Sequence, residues 1–138
     1  MGRIPGRAEE KCVRLFQEIL EGATVRRRHR FEFLRGDPTP KRPRGVPLAV
    51  DAYFPDFDLV LEYMGEQHFS GNPLMDRRPG RKAQRAAYQE RRSQVLGERG
   101  IKVIRVRYDE KLTGEVARAK LREAGLLDKD GKVIWKAP

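Results

Sequence analysis

The stretch from Leu48 to Phe69, LAVDAYFPDFDLVLEYMGEQHF, constrains the fold more than any other part of this chain. It reads as two short strands, Ala49 to Phe54 and Leu59 to Met64, rich in β-formers. Pro55-Asp56-Phe57-Asp58 supplies turn chemistry between them. A two-residue loop at Asp56 and Phe57 sets Phe54 opposite Leu59, and the same register sets Asp51 opposite Glu62. Cβ atoms of such a pair lie roughly 5 Å apart, and like charges there repel. The simplest remedy is a divalent cation, because magnesium prefers hard carboxylate oxygens and reverses the repulsion. The alternative is a polar face turned to solvent. Against it, Leu59, Leu61 and Tyr63 alternate with Val60, Glu62 and Met64, so both faces of the second strand are apolar apart from Glu62. Such a pattern belongs to a central strand covered on both sides, where an ionisable group usually has a partner or a task.

The other strong feature is charge. The 138 residues carry a formal net charge of +10. Basic residues cluster at Arg26, Arg27, Arg28 and Arg30, at Lys41, Arg42 and Arg44, and from Arg77 through Lys82 to Arg85. Clusters of this kind are the electrostatic footprint of a polyanion, most simply DNA or RNA. Of the 30 basic residues, 21 are arginine, whose planar fork suits phosphate. A high-GC genome also enriches arginine. The single cysteine, Cys12, excludes an internal disulfide and a cysteine-based zinc site, and is expected to pack in a helix. No apolar run approaches the roughly 18 residues of a membrane span. The expectation is a soluble, cytoplasmic protein with no membrane partner.

Along the chain, residues 7 to 21 read as a helix closed by Gly22, with an apolar stripe of Cys12, Val13, Phe16, Ile19 and Leu20. Glu9 precedes Val13 by four residues and shares that stripe, so it can point at whatever the helix covers. It would equally complement the helix dipole. Residues 23 to 34 suggest a strand or bent pair with Val25, Phe31 and Phe33 in the core. The basic, Pro- and Gly-rich segment from Arg35 to Val46 is a loop, read either as a DNA-contacting flap or as disorder. After the hairpin come a loop at 70 to 80, a highly charged helix from Arg81 to Arg99 with Tyr88, Val95 and Leu96 as its stripe, and a strand from Ile101 to Val106. A short helix from Glu115 to Ala124 and a terminal strand or tail at 131 to 135 complete the order α-β-β-β-α-β-α. The chain is thus expected to form a single α/β domain over residues 1–138. A mixed central sheet flanked by helices makes its core at about 6–110, and 111–138 form a C-terminal helix and tail.

If Glu9, Asp51 and Glu62 converge, a basic protein acquires a three-carboxylate magnesium site beside a phosphate-binding surface. The matching reaction is metal-assisted phosphodiester hydrolysis. Gln67 or His68 could orient the attacking water or protonate the leaving oxygen, His68 because its charge changes near neutral pH. His68 could equally anchor the strand end through backbone hydrogen bonds.

The residues Asp51-Ala52-Tyr53, Phe54-Pro55-Asp56 and Leu61-Glu62-Tyr63-Met64-Gly65-Glu66-Gln67-His68-Phe69 carry a family likeness, as do Ala8-Glu9 and Gly100-Ile101-Lys102-Val103-Ile104-Arg105-Val106. Over roughly residues 6 to 110 the chain resembles the PD-(D/E)XK nuclease superfamily, in the branch of very short patch repair endonucleases and related phage or intron-associated homing endonucleases. The resemblance implies a restriction-endonuclease-like fold and a magnesium-dependent DNA endonuclease or nickase, with manganese able to substitute. It also implies Glu9, Asp51 and Glu62 as the acidic, metal-holding cluster, with Gln67 and His68 accessory. Met64 stands where the superfamily has lysine, and Gln89 and Arg92 stand where relatives carry Asp-x-x-Lys. Arg92, with Lys82 or Arg85 as alternatives, could supply the positive charge. Asp56 reads as a turn residue, which leaves Asp51 as the strand acid. Expected partners are DNA and, for target selection, a second copy or a partner protein. A catalytically silent DNA-binding relative is the alternative.

Overall fold

A computed structural model describes residues 6–65 and 80–138. Gln67 and His68 lie outside the described residues. The chain is a small α/β domain in which, among the described residues, a four-stranded mixed sheet in the order β1-β2-β3-β4 carries three helices. Helix α1 spans Arg7–Ile19, and strands β1 to β3 span Arg26–Arg35, Pro47–Phe54 and Leu59–Met64. Helix α2 (Arg81–Glu98), strand β4 (Lys102–Arg107) and helix α3 (Gly114–Glu123) follow. Among the described residues no helix is long and apolar enough to cross a membrane.

Strand β3 is the organising element. It pairs antiparallel with β2 and parallel with β4, and Leu59 through Glu62 are all buried. Leu59 and Leu61 pack with Cys12, Val13 and Phe16 of α1 and Ala117 and Leu121 of α3. Val60 faces the other way, toward Leu96 in the last turn of α2 and Ile101 just before β4. Helices on both faces explain why the strand lacks polar alternation. Phe54 lies opposite Leu59, as the turn chemistry predicts. The turn itself is a 3-10 turn at Pro55–Phe57 followed by Asp58 in the left-handed region (φ 49°), rather than a two-residue loop. Asp56 is exposed in that turn, well away from the strand acid.

Two irregularities in the β1–β2 pair shape everything near Asp51. Ala52 belongs to the core under α1, whereas Val50, two residues earlier, belongs to the core under α2. The in-out alternation therefore reverses at Asp51. Opposite it, between the pairs Arg27–Ala52 and His29–Val50, Arg28 has a left-handed backbone (φ 53°). Further on, from Arg30–Ala49 to Arg35–Pro47, β1 advances five residues while β2 advances two. This bulge turns Phe31 and Leu34 into the α2-side core.

Residues 36 to 46, which the sequence leaves open between a flap and disorder, form a fastened loop. Gly36 N donates to Val46 O (2.9 Å), and Thr39 and Arg42 exchange backbone hydrogen bonds at 2.9 and 3.0 Å. Helix α2 braces its neck: Asp37 N donates to Tyr88 Oη (2.9 Å), and Arg91 donates to Arg35 O (2.8 Å) and Asp37 Oδ1 (2.6 Å). A Cβ on Gly45, whose φ is +72°, would lie 2.2 Å from Gly36 O. Gly45→Ala is therefore expected to destabilise the protein by about 2 kcal/mol, combining left-handed strain with a backbone overlap. Urea unfolding checks this, and an unchanged midpoint would show that the neck opens without cost.

The C-terminal segment 126–138 packs as a tail across the opposite end of the sheet. Leu126 and Leu127 are buried, Ile134 N donates to Leu126 O, and Ala137 N donates to Asp56 O. The terminal strand considered from sequence reduces to one bridge, Leu127 with Val133.

Candidate functional site

The β2–β3 register, extended one step beyond Ala52–Leu61, sets Asp51 across from Glu62, and α1 brings Glu9 to the same end of the sheet. Glu9 and Glu62 are the two charged residues buried among those described, each 7% exposed. Each of the three acids is held differently.

Glu9 is closed in by arginine. Arg27 Nη2 donates to Glu9 Oε2 at 2.7 Å, while its Nη1 donates to Glu10 Oε2 at 2.5 Å and its Nε reaches Asp51 O at 3.3 Å. Arg28 spans two acids, with Nη2 at 3.5 Å from Glu9 Oε1 and Nη1 at 3.1 Å from Asp51 Oδ1. The other oxygen of Asp51 accepts from the backbone N–H of Tyr63 at 2.7 Å. That bond ties the strand acid of β2 to the residue after Glu62.

Glu62 has no such partner. Arg92 Nε stands 4.0 Å from Glu62 Oε1 and donates instead to Ala49 O at 3.1 Å. Arg105 is paired with Glu62 in the β3–β4 ladder, but its guanidinium donates to Ser93 Oγ at 2.6 Å. With its amide oxygen turned to Arg105, Gln89 accepts from Nε and Nη2 at 2.6 and 3.1 Å. Gln89, in the place of the expected helix acid, thus helps fasten Arg105 to α2. The result, among the described residues, is a buried Glu62 Oε1 without a hydrogen-bond partner, an arrangement that costs free energy unless a proton or cation completes it.

The local electrostatics follow. Burial first, then the neighbouring Asp51 charge, pushes the Glu62 carboxyl above the usual carboxylate range, and Arg92 and Arg105 only partly offset this. Glu9 moves the same way, through burial and Asp51, against the pull of Arg28 and Arg27. Burial, aided by Asp51 and Glu9, pushes the Cys12 thiol up to about 12, so it stays protonated and acts as packing.

The fit of a divalent cation rests on Asp51 and Glu62. Magnesium is ordinarily held by one or two carboxylates plus water and substrate oxygens, and the orphaned oxygen of Glu62 beside Asp51 suits that donor set. Among the described residues no three His, Cys, Asp or Glu side chains stand together as a ready metal cage. At Glu9 the charge is met instead by Arg27 and Arg28.

The basic residues divide into groups. Arg26 and Arg30 are exposed on β1, and Arg30 Nη1 donates to Pro47 O. Arg27 and Arg28, although in the same run, turn to the acids. Lys41, Arg42 and Arg44 are exposed on the fastened loop. Antiparallel pairing places that loop at the same end of the sheet as the end of β3. Lys82 is exposed and Arg85 half-buried on the first turns of α2, whereas Arg92 reaches under the helix to the sheet. Sequence reasoning missed the arginine bridge because strict alternation would send Arg27 and Arg28 to opposite faces. The left-handed residue 28 brings both to the acids.

Comparison with protein-family models, with curated proteins and with solved structures finds no match for this chain.

Proposed function

We propose that this domain has a restriction-endonuclease-like fold and hydrolyses phosphodiester bonds in DNA with the help of a divalent cation, magnesium or manganese. The observation that carries the reading is the buried Glu62 Oε1, left without a hydrogen-bond partner among the described residues beside Asp51, in a chain with a formal net charge of +10. Asp51 and Glu62 would hold the ion, with Glu9 behind them. Bound there, the ion would polarise a scissile phosphate and acidify a water. The chain's own groups do the rest. The Tyr63 N–H fixes the orientation of Asp51, and Gln89 and Ser93 keep Arg105 from neutralising Glu62. The basic loop and α2 offer phosphate contacts on the same end of the sheet. From the resemblance alone, Gln67 and His68 retain the accessory roles of water orientation and proton transfer. One acidic cluster cuts one strand per visit, so nicking is the natural product of a single subunit, and a second copy or a partner protein would be needed for paired cuts.

The test is incubation of the purified protein with supercoiled plasmid in magnesium, in manganese and in EDTA. Nicking or linearisation in either metal that is absent in EDTA is the expected result. A second reading, a DNA-binding protein without catalysis, is favoured by the internal neutralisation of Glu9 and Asp51 and by Met64 in the lysine position. Salt-sensitive binding with no cutting in either metal, on branched and mismatched DNA as well, would select it.

A further inference from the structure

We infer that Arg28 is a displaceable counter-cation: it bridges Glu9 and Asp51 until a divalent ion takes Asp51, and the freed guanidinium then binds a phosphate of the nucleic acid. The inference rests on the phosphodiesterase reading for its substrate.

The two neighbouring arginines are held very differently. Arg27 makes close charge-assisted bonds to Glu9 (2.7 Å) and Glu10 (2.5 Å) and reaches the Asp51 carbonyl, so all three sides of its fork are engaged. Arg28 has one good bond, to Asp51 at 3.1 Å, and its contact with Glu9 is 3.5 Å, beyond the usual range for N–H···O. Its Nε is buried and has no acceptor among the described residues. Its backbone sits in the left-handed region, which a branched-free arginine adopts only under constraint. Arginine 28 is therefore the looser of the two, kept in place by the charges on Asp51 and Glu9. Nearly a third of its side chain (30%) is solvent-exposed, so it can swing outward without opening the core.

A divalent ion and this guanidinium compete for the Asp51 carboxylate, where the guanidinium now holds Oδ1. When the ion binds, a positive group left beside it is repelled, and the nearest anion for a planar fork is a phosphate. Arg27 would remain to hold Glu9. Metal and nucleic acid should then favour each other's binding, by the same factor in both directions. This also gives the site a phosphate ligand despite Met64 in the lysine position.

The experiment uses calcium, to bind without cutting, with calorimetry for the ion and fluorescence anisotropy for a labelled duplex, on wild type and Arg28→Gly. Glycine suits the left-handed backbone. In the absence of DNA the variant is expected to bind calcium about tenfold tighter. Wild type should bind duplex about tenfold tighter in calcium than in EDTA, and the variant should lose that gain. Should Arg28→Gly fail to fold, Arg28→Asn removes the charge and tolerates the left-handed backbone, and it is read the same way: tighter calcium binding supports the exchange, and unchanged binding overturns it. Equal calcium affinity in wild type and variant removes the role of Arg28 and leaves the phosphodiesterase reading intact. No calcium or manganese binding by either protein removes both.

Discussion

Glu62→Gln is expected to reduce metal-dependent cleavage by about a thousandfold while making the metal-free protein more stable above neutral pH. The first effect follows from the ion's share of transition-state stabilisation, several kcal/mol and so about three decades in rate. The second follows from the burial of an ionisable group with an orphaned oxygen. A carboxyl whose folded pKa is raised is most favourable to folding when protonated. Its contribution is fully present below the unfolded value and is lost as pH rises through the folded one. Glutamine keeps the neutral form's shape, and its amide can donate to Asp51 as the protonated acid does. In EDTA, the melting temperatures of wild type and Glu62→Gln should be close at about pH 5 and separate, with the variant higher, toward about pH 8. Manganese should raise the wild-type midpoint and leave the variant's unchanged. If the two proteins melt together at every pH and respond equally to manganese, Glu62 is not the pivot of the site.

How far the sequence disclosed this arrangement depended on whether the deciding contacts were local. Strand β3 was readable to the residue, because a six-residue run with both faces apolar allows few alternatives. The Phe54–Leu59 pairing was readable too. A 3-10 turn with a left-handed Asp58 preserves the register that a two-residue loop would give. The adjacency of Asp51 and Glu62 came with that register. The loop at 36–46 was not readable, because its order depends on Tyr88 and Arg91, more than fifty residues away, and on the close approach of Gly45 to Gly36. Nor was the fate of Arg27 and Arg28. A basic run looks like a uniform surface patch, yet one left-handed arginine and a reversal of alternation at Asp51 turn its centre inward.

That division of the basic residues decides where DNA affinity should be tested, and the substitution of choice is Lys41, Arg42 and Arg44 together to alanine. Replacing Arg26, Arg27 and Arg28 instead would release Glu9 and Asp51 from their partners, so weaker binding would report new negative charge in the site as much as lost contacts. The loop residues carry no such ambiguity. All three are exposed, and the turn at its tip is held by the backbone of Thr39 and Arg42 and by Thr39 Oγ1. Alanine therefore leaves the loop closed and removes only charge. A pre-ordered loop also avoids the entropy of ordering a flexible flap on DNA. If each side chain neutralises one phosphate, the slope of log K against log salt should become shallower by about 3, and affinity near physiological salt should fall about a hundredfold. The loss should be similar for unrelated sequences, because phosphate contacts position the protein without reading bases. It should also be the same in EDTA and in calcium, which separates it from the metal-linked loss expected at Arg28. A slope unchanged from wild type would mean that DNA approaches this sheet end from another side, along α2 rather than across the loop.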